Sequence, residues 1–392
     1  MKKSLLALSF GTLGLGIAEF VMMSILPDVA SDLGISLPVA GHLISAYALG
    51  VCVGAPLTVV VARTRPLKQI LLGLMLLFIV GNLMASVAPS FEVMLIMRFI
   101  SGLPHGAYFG VGSIIADRLA DKGKSAQAIA IMVAGMTFAN LIGVPFGTFL
   151  SHTFSWRIIF LITGLWGGYI FYSIYRWVPY MAPLPNTGLK GQFAFLKNLA
   201  PWLLILATMF GNGGVFSWYS YITPLMTEVA GFMPSAMSLL MVLAGAGMCI
   251  GNLIGGHFSD KFGAGIVAAT TQCIISVALL SIFFFSSHTY LAAVLMCVCT
   301  TGLFALSSPQ QLLLLKNAPG GEMMGAACVQ IAFNLGNALG AYCGGLPLAA
   351  GMGYEYPSLI GAFFTFTGFL MLAVYSCRYE RKIFKEKKLT RI

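Results

Sequence analysis

The chain has 392 residues, 58% hydrophobic and only 9% charged, with a formal net charge of +10. Soluble domains carry about a quarter charged residues, so this composition excludes a soluble globular protein and points to an integral membrane protein. The positive balance does not read as a nucleic-acid surface, because the basic residues are spread over segment ends and a short tail.

The first apolar run, 4–27, follows Lys2 and Lys3 and is interrupted by one carboxylate, Glu19. It mimics a secretory leader, but it continues to Pro27 without a small-residue cleavage site and reads as an uncleaved first helix. Further runs follow at 38–62, 67–88, 92–116, 125–150, 157–178, 201–227, 235–257, 264–286, 289–315, 322–347 and 355–377. Each is long enough to cross about 30 Å of hydrocarbon as a helix. Barrel strands would be about ten residues long and alternating in polarity. The expected fold class is an all-α membrane protein with twelve transmembrane helices. The longest polar stretch, "VPYMAPLPNTGLKGQFAFLKNLAP", reads as a cytoplasmic linker. It divides the chain into six-helix bundles at 1–179 and 201–378, with the linker at 180–200 and a basic tail at 379–392. Within it, "GLKGQFAFLKN" reads as a short surface helix or as a plain solvated loop.

The remaining basic residues, among them Arg63, Arg65, Lys68, Arg118, Lys122, Lys124, Arg176, Lys190, Lys197, Lys261 and Lys316, fall on one side of these helices, while the opposite loops are nearly bare. The positive-inside rule places both termini in the cytoplasm, with Arg157 as the outward exception. The eight cysteines form no CxxC pair and read as small buried hydrophobes. Neither metal nor cofactor is expected, and no HExxH, GxSxG or Walker pattern suggests an enzyme.

The halves share residues at an offset of 197 positions: Gly14 to Gly16 with Gly211 to Gly213, Pro27 with Pro224, Cys52 with Cys249, Gly54 with Gly251, and Asn140 with Asn337. A common register across separate helices argues for a parallel 6+6 repeat.

Three motifs resemble those of the major facilitator superfamily, within it the twelve-helix drug:proton antiporter and AraJ-like sugar-efflux branch. "GHFSDKFG" has the family's G-x-x-x-D-K-x-G loop form, with Gly256, Asp260, Lys261 and Gly263 in place. "LIMRFISGLPHGA" is similar to its L-x-x-R-x-x-x-G pattern, with Arg98 at the arginine position. "GMTFANLIGVPFG" resembles the antiporter motif through Gly135, Gly143, Pro145 and Gly147, with Ala139 completing a stripe of small residues. The first copy of the loop motif is altered: "VVVARTRPLK" has Arg63 where the Asp would stand. The resemblance implies alternating access in a bacterial inner membrane, a small-molecule substrate, a proton as the coupled ion and a monomer. It also implies that the first, fourth, seventh and tenth helices line the cavity and that the fifth-helix stripe meets the eighth helix. By pseudo-symmetry Asp260 would face the amino end of the fifth helix, where a carboxylate is favoured, with Lys316 a possible partner.

Counted from the outer mouth, Glu19 lies about 13 Å deep and the Arg98 backbone about 10 Å. Unpaired central charges cost about 2.5 to 3.5 kcal/mol each, so the two should face each other or a water-filled cavity. Either they form a fixed ion pair, or Glu19 is a carboxylate whose proton affinity changes as the cavity dries, opens or receives substrate. His105 shares a face with Arg98, Ser101 and Tyr108, and is read as a proton relay, a substrate contact or a histidine bonded to a neighbouring helix. The proton-coupling candidates are therefore Glu19, Arg98 and His105. For the substrate cavity the candidates are Tyr108, Asn140, Asn212, Phe216, Tyr219, Gln310, Gln311 and Asn334; the same amides also serve as helix-to-helix bonds. Export of a drug-like compound or sugar against protons is the expected activity. Facilitated diffusion and proton-coupled uptake are the alternatives.

Overall fold

The computed structural model describes residues 2–35, 37–62, 64–185 and 188–380. Arg63 and most of the 379–392 tail lie outside the described residues, as does the side chain of Lys2. Among the described residues there is no strand. The long helices are α1 (Lys2–Asp32), α2 (Leu37–Ala62), α3 (Leu67–Ser86), α4 (Phe91–Leu119), α5 (Ser125–Phe138, continued in Val144–Thr153), α6 (Trp156–Trp177), α7 (Leu199–Tyr219), α8 (Met237–Phe262), α9 (Ala264–Phe285), α10 (Thr289–Ala305, continued in Ser307–Lys316), α11 (Glu322–Ala349) and α12 (Tyr356–Tyr375). A five-residue helix, Gly188–Gln192, lies in the linker. Among the described residues, ten candidate spans are long and apolar enough to cross a membrane. α4 and α11 fall outside that set because their polar residues lower their mean hydropathy, Arg98 and His105 in α4 and Gln330, Asn334 and Asn337 in α11; residues 104–116 of α4 are also continuously buried.

Interruptions occur where the sequence removes backbone donors. Pro309 offers no N–H to the Ala305 carbonyl, α10 breaks at Leu306, and Gly255 of α8 seats against that freed carbonyl. α7 ends at Tyr219, earlier than the run 201–227 suggests, since Pro224 cannot donate to the carbonyl of residue 220; the chain resumes as Ile222–Pro224 and a π-helical turn, Leu225–Val229. α5 also passes through a π-helical turn, Ala139–Gly143, just before Pro145.

The chain forms two compact units. The first comprises Met1–Asp121, Ile131–Phe195 and Ala318–Ile331; the second comprises Lys122–Ala130, Leu196–Asn317 and Ala332–Ile392. In the first, the carboxyl ends of α1 and α5 are joined by Ser151 donating to Asp28 at 2.6 Å and Thr148 to Ser24 at 2.7 Å. Arg157, expected from the sequence to be the exception among the basic residues, is neutralised locally. It pairs with Asp32 at 3.0 Å, donates to the Ala88 carbonyl at 2.7 Å and lies over the Trp156 ring. The internal repeat is visible in packing: Gly54 of α2 abuts the Leu103 carbonyl of α4, and Gly251 of α8 abuts the Thr301 carbonyl of α10.

Candidate functional site

Glu19 projects from α1 and is 8% exposed, while Arg98 and His105 of α4 are completely buried. Pro104 deletes one intrahelical bond immediately before His105. Arg98 is not the contact partner of Glu19. Its Nη1 donates to the Ala18 carbonyl at 2.7 Å and its Nε to the Leu43 carbonyl at 3.3 Å. The guanidinium plane lies 4.4 Å from the Tyr47 ring centroid. Two backbone carbonyls and an aromatic face thus hold the cation without using the carboxylate, and Nη2 stays buried with no hydrogen-bond partner among the described residues.

Glu19 turns to His105 instead: Oε2 and Nε2 are 3.9 Å apart, and neither atom has a hydrogen-bond partner among the described residues. The other ring nitrogen, Nδ1, is 3.0 Å from the Tyr47 hydroxyl, and the imidazole stacks on Phe109 at 5.1 Å. Tyr47 is the member of this group that sequence reasoning missed. Its only signal was a phenol inside the apolar run "AYALGVCVG" of α2.

The other candidates are dispersed. Tyr108 is fully buried, donates to the Leu8 carbonyl at 3.2 Å and packs over Gly11, filling the seam between α4 and α1. Asn140 lies in the π-helical turn and donates to the Met136 carbonyl at 3.1 Å. In the second unit, Asn212 donates to the Thr208 carbonyl at 2.9 Å. Phe216 meets Tyr219 and Phe333 edge to face, and the Tyr219 hydroxyl is 3.9 Å from the Met241 sulfur. Gln310, Gln311 and Asn334 are buried; Nε2 of Gln310 has no hydrogen-bond partner among the described residues, whereas Gln311 and Asn334 are engaged.

The loop motif assembles within the second unit. The Asp260 carboxylate accepts from the backbone N–H groups of Ala126 at 2.9 Å and Gln127 at 2.8 Å, capping the start of α5. Gly256, four residues earlier, lets α8 approach so closely that a Cβ would collide with Ala130. Gly263 turns the chain at φ +101, a conformation costly for any other residue. Lys261 lies over the Phe262 ring. Lys316 lines the same recess as Asp260 and makes no ion pair with it.

The small-residue stripe packs within the first unit. Gly135 packs against the Ser9 carbonyl and Thr12, Gly143 against Ile17 and Gly147 against Val21, while Ala139 meets Gly16, so the neighbour that comes close to the stripe within its own unit is α1. The face of α5 that meets α8 is Ala126, Gln127 and Ala130. At about 100° per residue, Gly135 is roughly 180° around the helix from Ala126. Pro145 follows the π-helical turn, where its missing N–H would otherwise leave a regular helix bond unmade.

Residues 8–328 match the family model described as the Major Facilitator Superfamily. The chain belongs to that superfamily. It is 47% identical over 382 residues to the putative transporter AraJ of Escherichia coli (strain K12), covering 97% of each chain. It is 36% identical over 358 residues to the inner membrane transport protein YdhP of the same strain, covering 91% of this chain and 92% of that one. A crystal structure of a variant of the E. coli fucose:proton symporter FucP superposes with a TM-score of 0.79 at 14% identity, over 95% of this chain and 98% of that chain. This superfamily member is thus a multi-pass membrane transporter of small solutes with the major facilitator fold, not an enzyme.

Proposed function

We propose that the protein is a secondary active transporter of the inner membrane that exports a small molecule, drug-like or sugar, in exchange for protons. The reading rests on one observation: a carboxylate inside the first helix faces an imidazole on the fourth across 3.9 Å, with both facing atoms otherwise unpartnered. An intramembrane acid is costly and persists where it has work to do. Glu19 takes up and releases the proton, His105 faces it as a neutral imidazole, and Arg98, tied to backbone carbonyls, supplies a fixed positive potential. The neutral groups of the second unit, Asn212, Phe216, Tyr219, Gln310, Gln311 and Asn334, suit an uncharged or weakly charged substrate. Asp260 and Gly256 clamp the start of α5 in one state of the cycle. One proton crossing 100 mV supplies about 2.3 kcal/mol, enough for a substrate gradient of roughly fiftyfold.

The test is transport in proteoliposomes with an imposed pH gradient, using ethidium and a labelled pentose as probes. Gradient-driven export is expected in the native protein. Glu19→Gln should keep probe exchange at equal pH and lose the response to the gradient. Full gradient response in Glu19→Gln discards proton coupling through this residue. Accumulation of probe with inward proton flow on the same side would make the protein an uptake symporter.

A further inference from the structure

The Tyr47 hydroxyl has one proton and two acceptors within reach: Nδ1 of His105 at 3.0 Å and the Leu15 carbonyl at 3.3 Å. Leu15 stands one helical turn before Glu19 on α1. A neutral imidazole also carries one N–H, and the partner of one ring nitrogen decides which nitrogen holds it. We propose that Tyr47 is a positioning residue that ties the tautomer of His105 to the protonation of Glu19. The inference rests on the reading of Glu19 as the proton site.

In the first arrangement the phenol donates to the Leu15 carbonyl and its oxygen accepts from Nδ1–H. Nε2 is then a bare acceptor facing Glu19, which suits a protonated carboxyl group. In the second, the phenol turns its proton to Nδ1, and Nε2–H faces an ionised carboxylate. Passing from the first to the second, the Glu19 O–H breaks and Nε2–H forms, Nδ1–H breaks as its proton passes to the Tyr47 oxygen, and the phenol's former proton is the one that leaves to water when the cavity opens. The arrangements differ by one proton, and the imidazole is neutral in both.

The phenol is held for this task. Arg98 covers its ring at 4.4 Å, and the Tyr47 backbone lies directly on Gly102 of α4. The imidazole is fixed against Phe109 with the two rings within 14° of parallel. The charged and titratable groups around His105 are Glu19 from α1, Tyr47 from α2 and Arg98 from α4 itself. α3 meets α4 there through Gly81 and Ser101 and brings no charge.

The experiment is nitrogen NMR of histidine-labelled full-length protein in nanodiscs, with His105 assigned by its loss in His105→Asn. In the native protein the ratio of the two His105 tautomers should change by about five- to tenfold as pH crosses the Glu19 titration, the equivalent of one buried hydrogen bond. Tyr47→Phe keeps the ring under Arg98 and removes one oxygen; its ratio should change less than about twofold. Should that variant fold poorly, 3-fluorotyrosine at position 47, a more acidic and stronger donor, should move the ratio toward Nε2–H at every pH. A Tyr47→Phe ratio that follows pH like the native protein, or no displacement with the fluorinated phenol, overturns the inference. If the ratio still follows pH in Glu19→Gln, the reading of Glu19 as the proton site fails instead.

Discussion

Replacing Asp260 with asparagine tests what holds the start of α5. The carboxylate accepts two backbone N–H bonds, of 2.9 and 2.8 Å, from the first turn of that helix. Asparagine retains one acceptor oxygen and no charge, so one N–H is left without its anion. A bond to a charged group contributes about 1.5 to 3 kcal/mol, loss of a capping side chain costs about 0.5 to 2, and the dipole contribution of the charge is about 0.3 to 1. These overlap in one contact. Because Asp260 is half-exposed, a net cost of about 1 to 2 kcal/mol is expected, which is a factor of about 5 to 30 in a local opening equilibrium. Hydrogen–deuterium exchange read by mass spectrometry on a peptide covering 122–130 should show the Ala126 and Gln127 amides exchanging faster by that factor. Lys316→Ala, in the same recess without an ion pair to Asp260, should leave the peptide unchanged. Unaltered protection in Asp260→Asn, or equal loss in Lys316→Ala, would refute the capping argument.

Gly135→Ala places a Cβ against the Ser9 carbonyl and should destabilise the detergent-solubilised protein by about 1 to 3 kcal/mol, the usual cost of overpacking. Gly73→Ala, where a Cβ meets nothing within 4 Å, should instead be neutral or stabilising by about 0.5 to 1 kcal/mol; thermal unfolding of the two variants side by side checks the contrast. Arg157→Gln should lower stability by about 1 kcal/mol. The half-exposed ion pair to Asp32 contributes little on its own, and most of the loss comes from the carbonyl bond and the Trp156 contact. A melting temperature of the native protein that drops steeply with added salt would show that the ion pair dominates after all.

How far the sequence could be read depended on the distance over which each residue acts. The motif "GHFSDKFG" was legible because its chemistry is short-ranged: a glycine for close approach, a carboxylate for a helix start and a glycine for a reversal. The stripe Gly135, Ala139, Gly143 and Gly147 was legible as a smooth face but not as a contact. Spacing states that a partner comes close without stating which one, and within the first unit that partner is α1. Arg98 and Glu19 were placed at one depth by counting residues, yet rotation about the helix axes sent the guanidinium to Ala18, Leu43 and Tyr47 and the carboxylate to His105.

Composition and periodicity alone determined that this chain enters a membrane as long helices and that its two halves repeat, since burying backbone polar groups in lipid leaves few other solutions. Only the tertiary structure decided which side chains meet across those helices. Lipid and neighbouring helices are almost equally apolar, so hydrophobicity does not choose between partners. That choice falls to glycine contacts and to a few buried polar bonds, such as the one from Tyr47 to His105.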